Sequence, residues 1–437
     1  MQARLGVFLL CAVLFFVGAA PALGQPKTVL QNKLTAERQS NVFRQSNLVR
    51  VPETAKNKHS AEGEGGRRGA YMEVREHRTA SLTKLDVVLQ QSPQVFAEAA
   101  ALMDADSGVF YFTKNAEERR PMASLTKVMT CILAQELADL EEKVEVSQRA
   151  AGVSVGSIID LRTGEELKLG ELVKAALICS ANDATVAIGE QVAGDHDTFV
   201  QWMNSKALLL GMSRSRFANT NGYSHPSHYS TAADLAALAR YSLRNRFFAG
   251  VVRTRQANIR WIKPQREEYI ENTNEFLHSG FPGITGVKTG TTDAAGKCLI
   301  ASVSRNGRNL IAVVLRSGDR YGDASQLLTW GLKEVVDQVA CTGGEYFTRL
   351  KVREGRLPEV PLEAENELVV SLPRDELGNI RKEVRIFYEP VAPVKAGDRF
   401  GEVIFTWKGQ ELGRTGLIAG RTVERRPWYW TKGRGYF

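Results

Sequence analysis

Pro121-Met122-Ala123-Ser124-Leu125-Thr126-Lys127-Val128-Met129-Thr130 stands where the texture of this chain changes, and its surroundings set the fold. Before it, Ala99-Ala100-Ala101-Leu102-Met103-Asp104, the turn residues Asp106-Ser107-Gly108 and Val109-Phe110-Tyr111-Phe112 read as a strand hairpin. From Ser124 to Leu140 apolar residues recur at helical steps, and they do so again from Leu172 to Val192 and from Thr231 to Leu243. Beyond about Arg253 strands return, at Ile284 to Lys288, Lys297 to Val303 and Asn309 to Arg316, with a last helix expected from Ala324 to Val339. Strands at both ends, helices between them and short turns joining the late strands indicate an α+β unit with a mostly antiparallel sheet.

The chain of 437 residues is long enough for two folded units plus tails. Residues 1–24 read as a secretory signal: Arg4 is the positive start, Val7 to Val17 the apolar run, and Ala20-Pro21-Ala22-Leu23-Gly24 the small-residue cleavage region. Residues 25–94 are polar and lack a hydrophobic period, so a flexible leader is expected. The first folded unit is placed at 95–342. A second, small and all-β, follows at 343–424, marked by Leu368 to Leu372, Val384 to Tyr388 and Glu402 to Phe405 between Pro, Gly and charged turns. Residues 425–437 form a basic, aromatic tail for which peripheral membrane contact and a plain exposed end both stay open.

Export places the protein outside the cytoplasm, in the periplasm or on the outer face of the membrane. The net charge of +8 then suits an anionic wall polymer or lipid headgroups, and no nucleic-acid-binding motif accompanies it. Cys131, Cys179, Cys298 and Cys341 are scattered and are expected to fill core positions as small hydrophobes. No cysteine or histidine spacing suggests a metal site, and no cofactor is implied.

A serine hydroxyl is a weak nucleophile unless a base adjoins it. With Ser124 opening a helix, Lys127 lies one turn on and faces the same side. Desolvation or a nearby positive charge would lower the lysine pKa enough for the amine to act neutral. SxxK alone is weak evidence, since serine is a common helix cap. The chain supplies its own control, because Ser81-Leu82-Thr83-Lys84 repeats the tetrapeptide inside the polar leader, where no partner motif is correctly spaced. Ser124 has such partners. Ser180-Ala181-Asn182 stands between an apolar segment and a helical one, so a hydroxyl and an amide can enter one cleft. Lys288-Thr289-Gly290-Thr291 follows a β-branched strand, with Gly290 permitting close approach of the backbone and Lys288 and Thr289 suited to a substrate carboxylate.

In these three motifs the chain resembles the low-molecular-mass penicillin-binding proteins, serine D-Ala-D-Ala carboxypeptidases that share SxxK, SxN and KTG with serine β-lactamases. His228-Tyr229-Ser230-Thr231-Ala232, Asn272-Thr273-Asn274 and Leu327-Leu328-Thr329-Trp330-Gly331 extend the resemblance through Trp330, and Pro393 to Asp398 is similar to the family's β-rich second domain. The resemblance implies a β-lactamase/transpeptidase-like catalytic domain followed by that small β domain. It implies Ser124 as acylated nucleophile, Lys127 as general base, Ser180 as proton relay and Asn182 as a bond to the substrate amide. Lys288 and Thr289 would hold the terminal part of the peptide, and the backbone N–H groups of Ser124 and Thr291 would form the oxyanion hole. Arg316 and Arg320 both qualify as a further carboxylate ligand, whereas His228 is expected to pack. Stem peptides of peptidoglycan ending in D-Ala-D-Ala, and β-lactams as covalent inhibitors, are the implied partners. One departure stands out: Asn219-Thr220-Asn221-Gly222-Tyr223 lacks the family's usual Pro-His-Gly-Leu wording.

Among rivals, a class A β-lactamase needs a deacylating glutamate after SxN, and none occurs between Glu190 and Glu267. A DD-endopeptidase shares the motifs and is separated only by substrate. A non-catalytic wall-binding or antibiotic-sensing module would keep the cleft without turnover, against which the intact triplet argues.

Overall fold

The structure is a computed structural model that describes residues 92–427 and Tyr429. The expected signal, nearly all of the leader, the Ser81-to-Lys84 repeat and most of the tail lie outside the described residues.

β1 (Ala99–Asp104) and β2 (Phe110–Lys114) form the expected hairpin, and a 3-10 turn (Ala123–Thr126) runs directly into α1 (Lys127–Leu137). Then come β3 (Lys143–Glu145), α2 (Gln148–Ala151), β4 (Glu166–Lys168) and the helices α3 (Leu169–Leu177), α4 (Asn182–Ala193), α5 (His196–Leu209), α6 (Ala232–Ser242) and α7 (Arg246–Val252). A hairpin of β5 (Gln256–Lys263) and β6 (Arg266–Glu271) precedes β7 (Ile284–Thr292), β8 (Gly296–Arg305), β9 (Arg308–Ser317) and α8 (Arg320–Glu334). The remaining elements are β10 (Val335–Cys341), β11 (Tyr346–Lys351), β12 (Glu359–Ala364), β13 (Leu368–Pro373), β14 (Arg381–Ile386), β15 (Arg399–Trp407) and β16 (Gln410–Ala419).

The main sheet has the order β2-β1-β9-β8-β7 and is antiparallel throughout. Successive strand residues face opposite sides, and here both sides are covered. Ala99, Ala101, Met103, Ile311, Val313 and Leu315 pack with the helices α1 to α7. The alternate residues Ala100, Leu102, Leu310, Ala312 and Val314 pack with Leu327 and Leu328 of α8 and with Trp407 of β15. Burial on both faces is why these strands read as unbroken apolar runs instead of alternating ones.

Two helix expectations are corrected. The helical period from Leu172 to Val192 is two helices, because Ser180 sits at φ 66° and the Asn182 N–H bonds to Ser157 O at 2.8 Å instead of continuing the helix ladder. The last helix stops at Glu334; Val335, Val336 and Val339 instead pair with Pro373, Leu372 and Val369 on β13. Those β-branched valines lose little in a strand once a partner edge is present. The amphipathic α5, capped by Asp195 accepting from the Thr198 N–H, was not foreseen, nor was the β5–β6 hairpin. The four cysteines Cys131, Cys179, Cys298 and Cys341 are free thiols.

The C-terminal sheet runs β11-β12-β16-β15-β14 around its own core of Val360, Leu362, Val403, Phe405 and Leu417. Its β15–β16 hairpin leans on the main sheet. There the Gln410 side chain accepts from Phe110 N at 2.7 Å and donates to Phe110 O at 3.0 Å, pairing the backbone of edge strand β2 as another strand would.

Asp323 of α8 ties the start of the folded unit to the sheet. Fully buried, its carboxylate accepts from Phe96 N and Ala97 N, both at 2.8 Å, and from Ser317 Oγ at 2.6 Å. Asp323→Ala orphans these donors in the interior and should cost about 3 kcal/mol or more. Urea unfolding should show it as a lower midpoint at unchanged slope; a midpoint within error of the unaltered protein would refute this role.

Candidate active site

The site grows from the strained turn that carries Ser124. Ala123 holds φ 48°, a left-handed conformation that costs a residue with a Cβ and that neighbouring structure must enforce. Two glycines do so. At Gly222, φ 99°, a Cβ would stand 2.0 Å from Ala123 O, and at Gly290 of β7 one would stand 3.0 Å from both Met122 O and Ser124 N. Only hydrogen at these positions lets the 219–223 loop and β7 close on the nucleophile from opposite sides.

Inside this clamp Lys127 is completely buried. Its Nζ lies 2.9 Å from Ser124 Oγ, 2.7 Å from Asn182 Oδ1 and 2.8 Å from Asn221 O. The amide and carbonyl oxygens can only accept. In the neutral amine they therefore take both N–H bonds and leave the lone pair turned to Ser124. Burial, and secondarily the positive charge of Lys288, hold the Lys127 pKa well below its ordinary value, so the neutral form is accessible. Lys127 and Ser124 thus have the geometry that a base and a nucleophile require.

Ser124, Ser180, Asn182, Thr289, Gly290 and Thr291 all line one cleft of about 490 Å³, joined by Thr273 and Arg320. The left-handed backbone of Ser180 turns its side chain into this cleft, where no described residue takes the hydroxyl. Asn182 spends its Oδ1 on Lys127, while its Nδ2 donates to Val155 O at 2.8 Å and approaches Tyr223 Oη at 3.4 Å. The Tyr223 hydroxyl in turn donates to Val155 O at 2.6 Å, so the loop lacking the usual family wording supplies a phenol that crosses the cleft mouth. Asn221 and Tyr223 were not identified from sequence, and the departure from the family's wording at that loop was the one signal available.

Lys288 is not among the side chains that line the cleft: it is buried with its Nζ on Thr289 O at 3.2 Å, and burial lowers its pKa to about 8. Its positive charge also disfavours protonation of Lys127. The cleft-facing cation is Arg320, whose Nη1 donates to Thr291 Oγ1 at 3.0 Å and Gly290 O at 3.2 Å. Arg316 points elsewhere, donating to Ala294 O and pairing with Glu98. Thr289 Oγ1 shares a 2.8 Å hydrogen bond with Thr273 Oγ1 on the same wall. His228 packs, as expected, but closer to the nucleophile than anticipated: its ring bonds Thr126 Oγ1 at 2.7 Å and accepts from Ala218 N, with a pKa lowered to about 4 by burial.

The family model described as D-alanyl-D-alanine carboxypeptidase matches residues 86–318, and that described as penicillin-binding protein 5, C-terminal domain, matches 341–425. The chain belongs to the D-alanyl-D-alanine carboxypeptidase family. It is 31% identical over 351 residues to the D-alanyl-D-alanine carboxypeptidase DacC of Escherichia coli, covering 76% of this chain and 86% of that one. Identity to DacF of Bacillus subtilis is 29% over 338 residues, covering 75% and 86%. Among solved structures, penicillin-binding protein 6B of Escherichia coli superposes with TM-score 0.58 at 26% identity, covering 75% of this chain and 97% of that one. The family's known properties, a serine acyl-enzyme and inhibition by β-lactams, are those for which the Ser124–Lys127 pair is built.

Acylation by a chromogenic β-lactam should therefore weaken as pH falls through the depressed Lys127 pKa, because protonation removes the lone pair. Lys288→Met deletes the like charge that helps depress it, so Lys127 should hold its proton more tightly and the acid limb should move up by about one pH unit. An unmoved limb would contradict the coupling. Gly222→Ala should cut acylation at least tenfold by displacing the Ala123–Ser124 peptide, a factor equal to roughly 1.4 kcal/mol; stopped-flow acylation rates check it.

Proposed function

We propose that this chain is an exported carboxypeptidase that removes the terminal D-Ala from peptidoglycan stem peptides ending in D-Ala-D-Ala. The observation carrying this reading is the buried Lys127 amine, held by two pure acceptors with its remaining valence on Ser124 Oγ, in a cleft whose far wall carries Arg320 and Thr289. Ser124 Oγ attacks the penultimate carbonyl carbon and passes its proton to Lys127. The oxyanion forms beside the backbone N–H groups of Ser124 and Thr291, which Gly290 brings together. Collapse breaks the C–N bond, and the leaving D-Ala amine takes the proton held by Lys127, relayed through Ser180. Water then adds to the ester carbonyl, Lys127 accepts its proton, and as the ester C–O bond breaks Lys127 returns a proton to Ser124 Oγ. Arg320 and Thr289 receive the substrate's terminal carboxylate.

The absence of glutamate between Glu190 and Glu267 supports slow escape from a β-lactam adduct over lactamase turnover. The amino-terminal signal supports an extracytoplasmic site of action, and the charge of +8 suits the anionic wall. Membrane contact through the 425–437 tail is a further part of this reading, supported by its mixture of arginine, lysine and interfacial tryptophan.

Incubation with a muropeptide ending in D-Ala-D-Ala, followed by mass spectrometry, should show loss of one alanine. Cleavage of cross-linked dimers alone would assign an endopeptidase instead. Fluorescent penicillin should label the protein covalently, with the adduct lost in Ser124→Ala and retained in Ser81→Ala; label without D-Ala release would mark a sensor.

A further inference from the structure

The catalytic cleft continues past the end of β7. That strand is the edge of the main sheet, and the cleft follows it from Thr289 through Thr292 to Asp293. Ser224 then borders both the cleft and a second groove of about 400 Å³, whose other walls include Arg119, His225, Tyr229 and Ala294. Ser224 Oγ donates to Thr292 Oγ1 at 3.4 Å across the boundary.

Arg119 distinguishes this groove. Its guanidinium lies over the Tyr229 ring, 5.0 Å from the centroid, and no described residue pairs with it as an ion or hydrogen-bond partner. The carboxylates beside it in sequence are already committed: Glu118 binds Arg120, and Glu117 binds Arg214 at 3.3 Å. His225 adds a donor, since its Nδ1 accepts from Ser227 N and its ring proton is thereby placed on Nε2. His228 contributes none, both of its nitrogens being used within the protein.

We propose that this groove binds the acyl-donor peptide upstream of the bond attacked by Ser124, and that Arg119 pairs there with a free carboxylate of an acidic stem peptide. The inference rests on the carboxypeptidase reading. With the substrate's terminal carboxylate at Arg320 and Thr289 and its reacting carbonyl at Ser124, an extended peptide lying along edge strand β7 must leave past Thr292 toward Ala294. That exit is the groove. The rim position of Arg119 makes it a selector among stems, acting before any bond changes.

The test is protection of Ser124 from fluorescent penicillin by two synthetic pentapeptides ending in D-Ala-D-Ala. One carries a side-chain carboxylate two or three residues upstream of the scissile bond; in the other that group is amidated. The acidic peptide should protect at roughly tenfold lower concentration, and the difference should shrink as salt rises. In Arg119→Ala the preference should vanish while the penicillin labelling rate and the amidated peptide's protection stay unchanged, which also reports correct folding. Arg119→Lys should restore part of it. Equal protection by both peptides in the unaltered protein, or an undiminished preference in Arg119→Ala, overturns the groove assignment alone. Failure of both peptides to protect or to release D-Ala, with penicillin labelling intact, overturns the carboxypeptidase reading and the groove with it.

Discussion

A buried amine with nowhere to hide its charge governs this molecule. Lys127 is enclosed without solvent exposure near a second buried lysine, Lys288, and among the described residues no carboxylate is bonded to either. A charged ammonium in such a place is costly, and a like charge nearby raises the cost. The protein offsets this with neutral acceptors, Asn182 Oδ1 and Asn221 O, which satisfy the N–H bonds without stabilising the cation as an aspartate would. A paired carboxylate would have made a more stable lysine and a poorer base.

The rest of the catalytic unit keeps those acceptors in place. Asn182 starts α4 only because the chain breaks at Ser180, and Asp183 beside it accepts from Ile159 N and Leu161 N, pinning the segment that presents Val155 and Ser157 to the cleft. Asn221 is held from below by Thr130, whose hydroxyl donates to Thr220 O at 2.7 Å, so the helix carrying Lys127 also anchors the loop that receives its proton-bearing bond. His228 connects Thr126 of the nucleophile turn to Ala218 of the same loop. Its lowered pKa keeps the ring neutral through the working range, so this brace does not add a third positive charge to the cluster.

Further out, the main sheet is a wall with two tenants. Its helical face carries the SxxK and SxN motifs, its edge strand β7 carries KTG, and its other face is closed by α8 and by Trp407 from the C-terminal unit. Arg320 enters the cleft because α8 begins there, with Asp319 capping its first turn by accepting from Gly322 N at 2.9 Å. The helix that seals the sheet thus also supplies the cation that β7's buried lysine does not present to solvent.

Sequence alone determined the three motifs and the hairpin, helices and late strands that carry them, and it singled out Ser124 and Lys127 as a candidate pair, because hydrophobic period and the one-turn spacing of these two residues are local properties. It also favoured Ser124 over the repeat at Ser81, which lies outside the described residues, through partner motifs that must lie at long range. Other features were decided only by tertiary structure. Whether Val335 to Val339 extend a helix or form a strand depends on β13 lying alongside. The burial of Lys288 depends on which way β7 turns its side chains once Gly290 is pressed against Ser124. The choice of Arg320 over Arg316, and the part played by Asn221 and Tyr223, depend likewise on contacts between segments distant in the chain. Spacing along a chain fixes which groups one element can present, whereas burial, and with it the protonation of Lys127, is a property of everything packed around it.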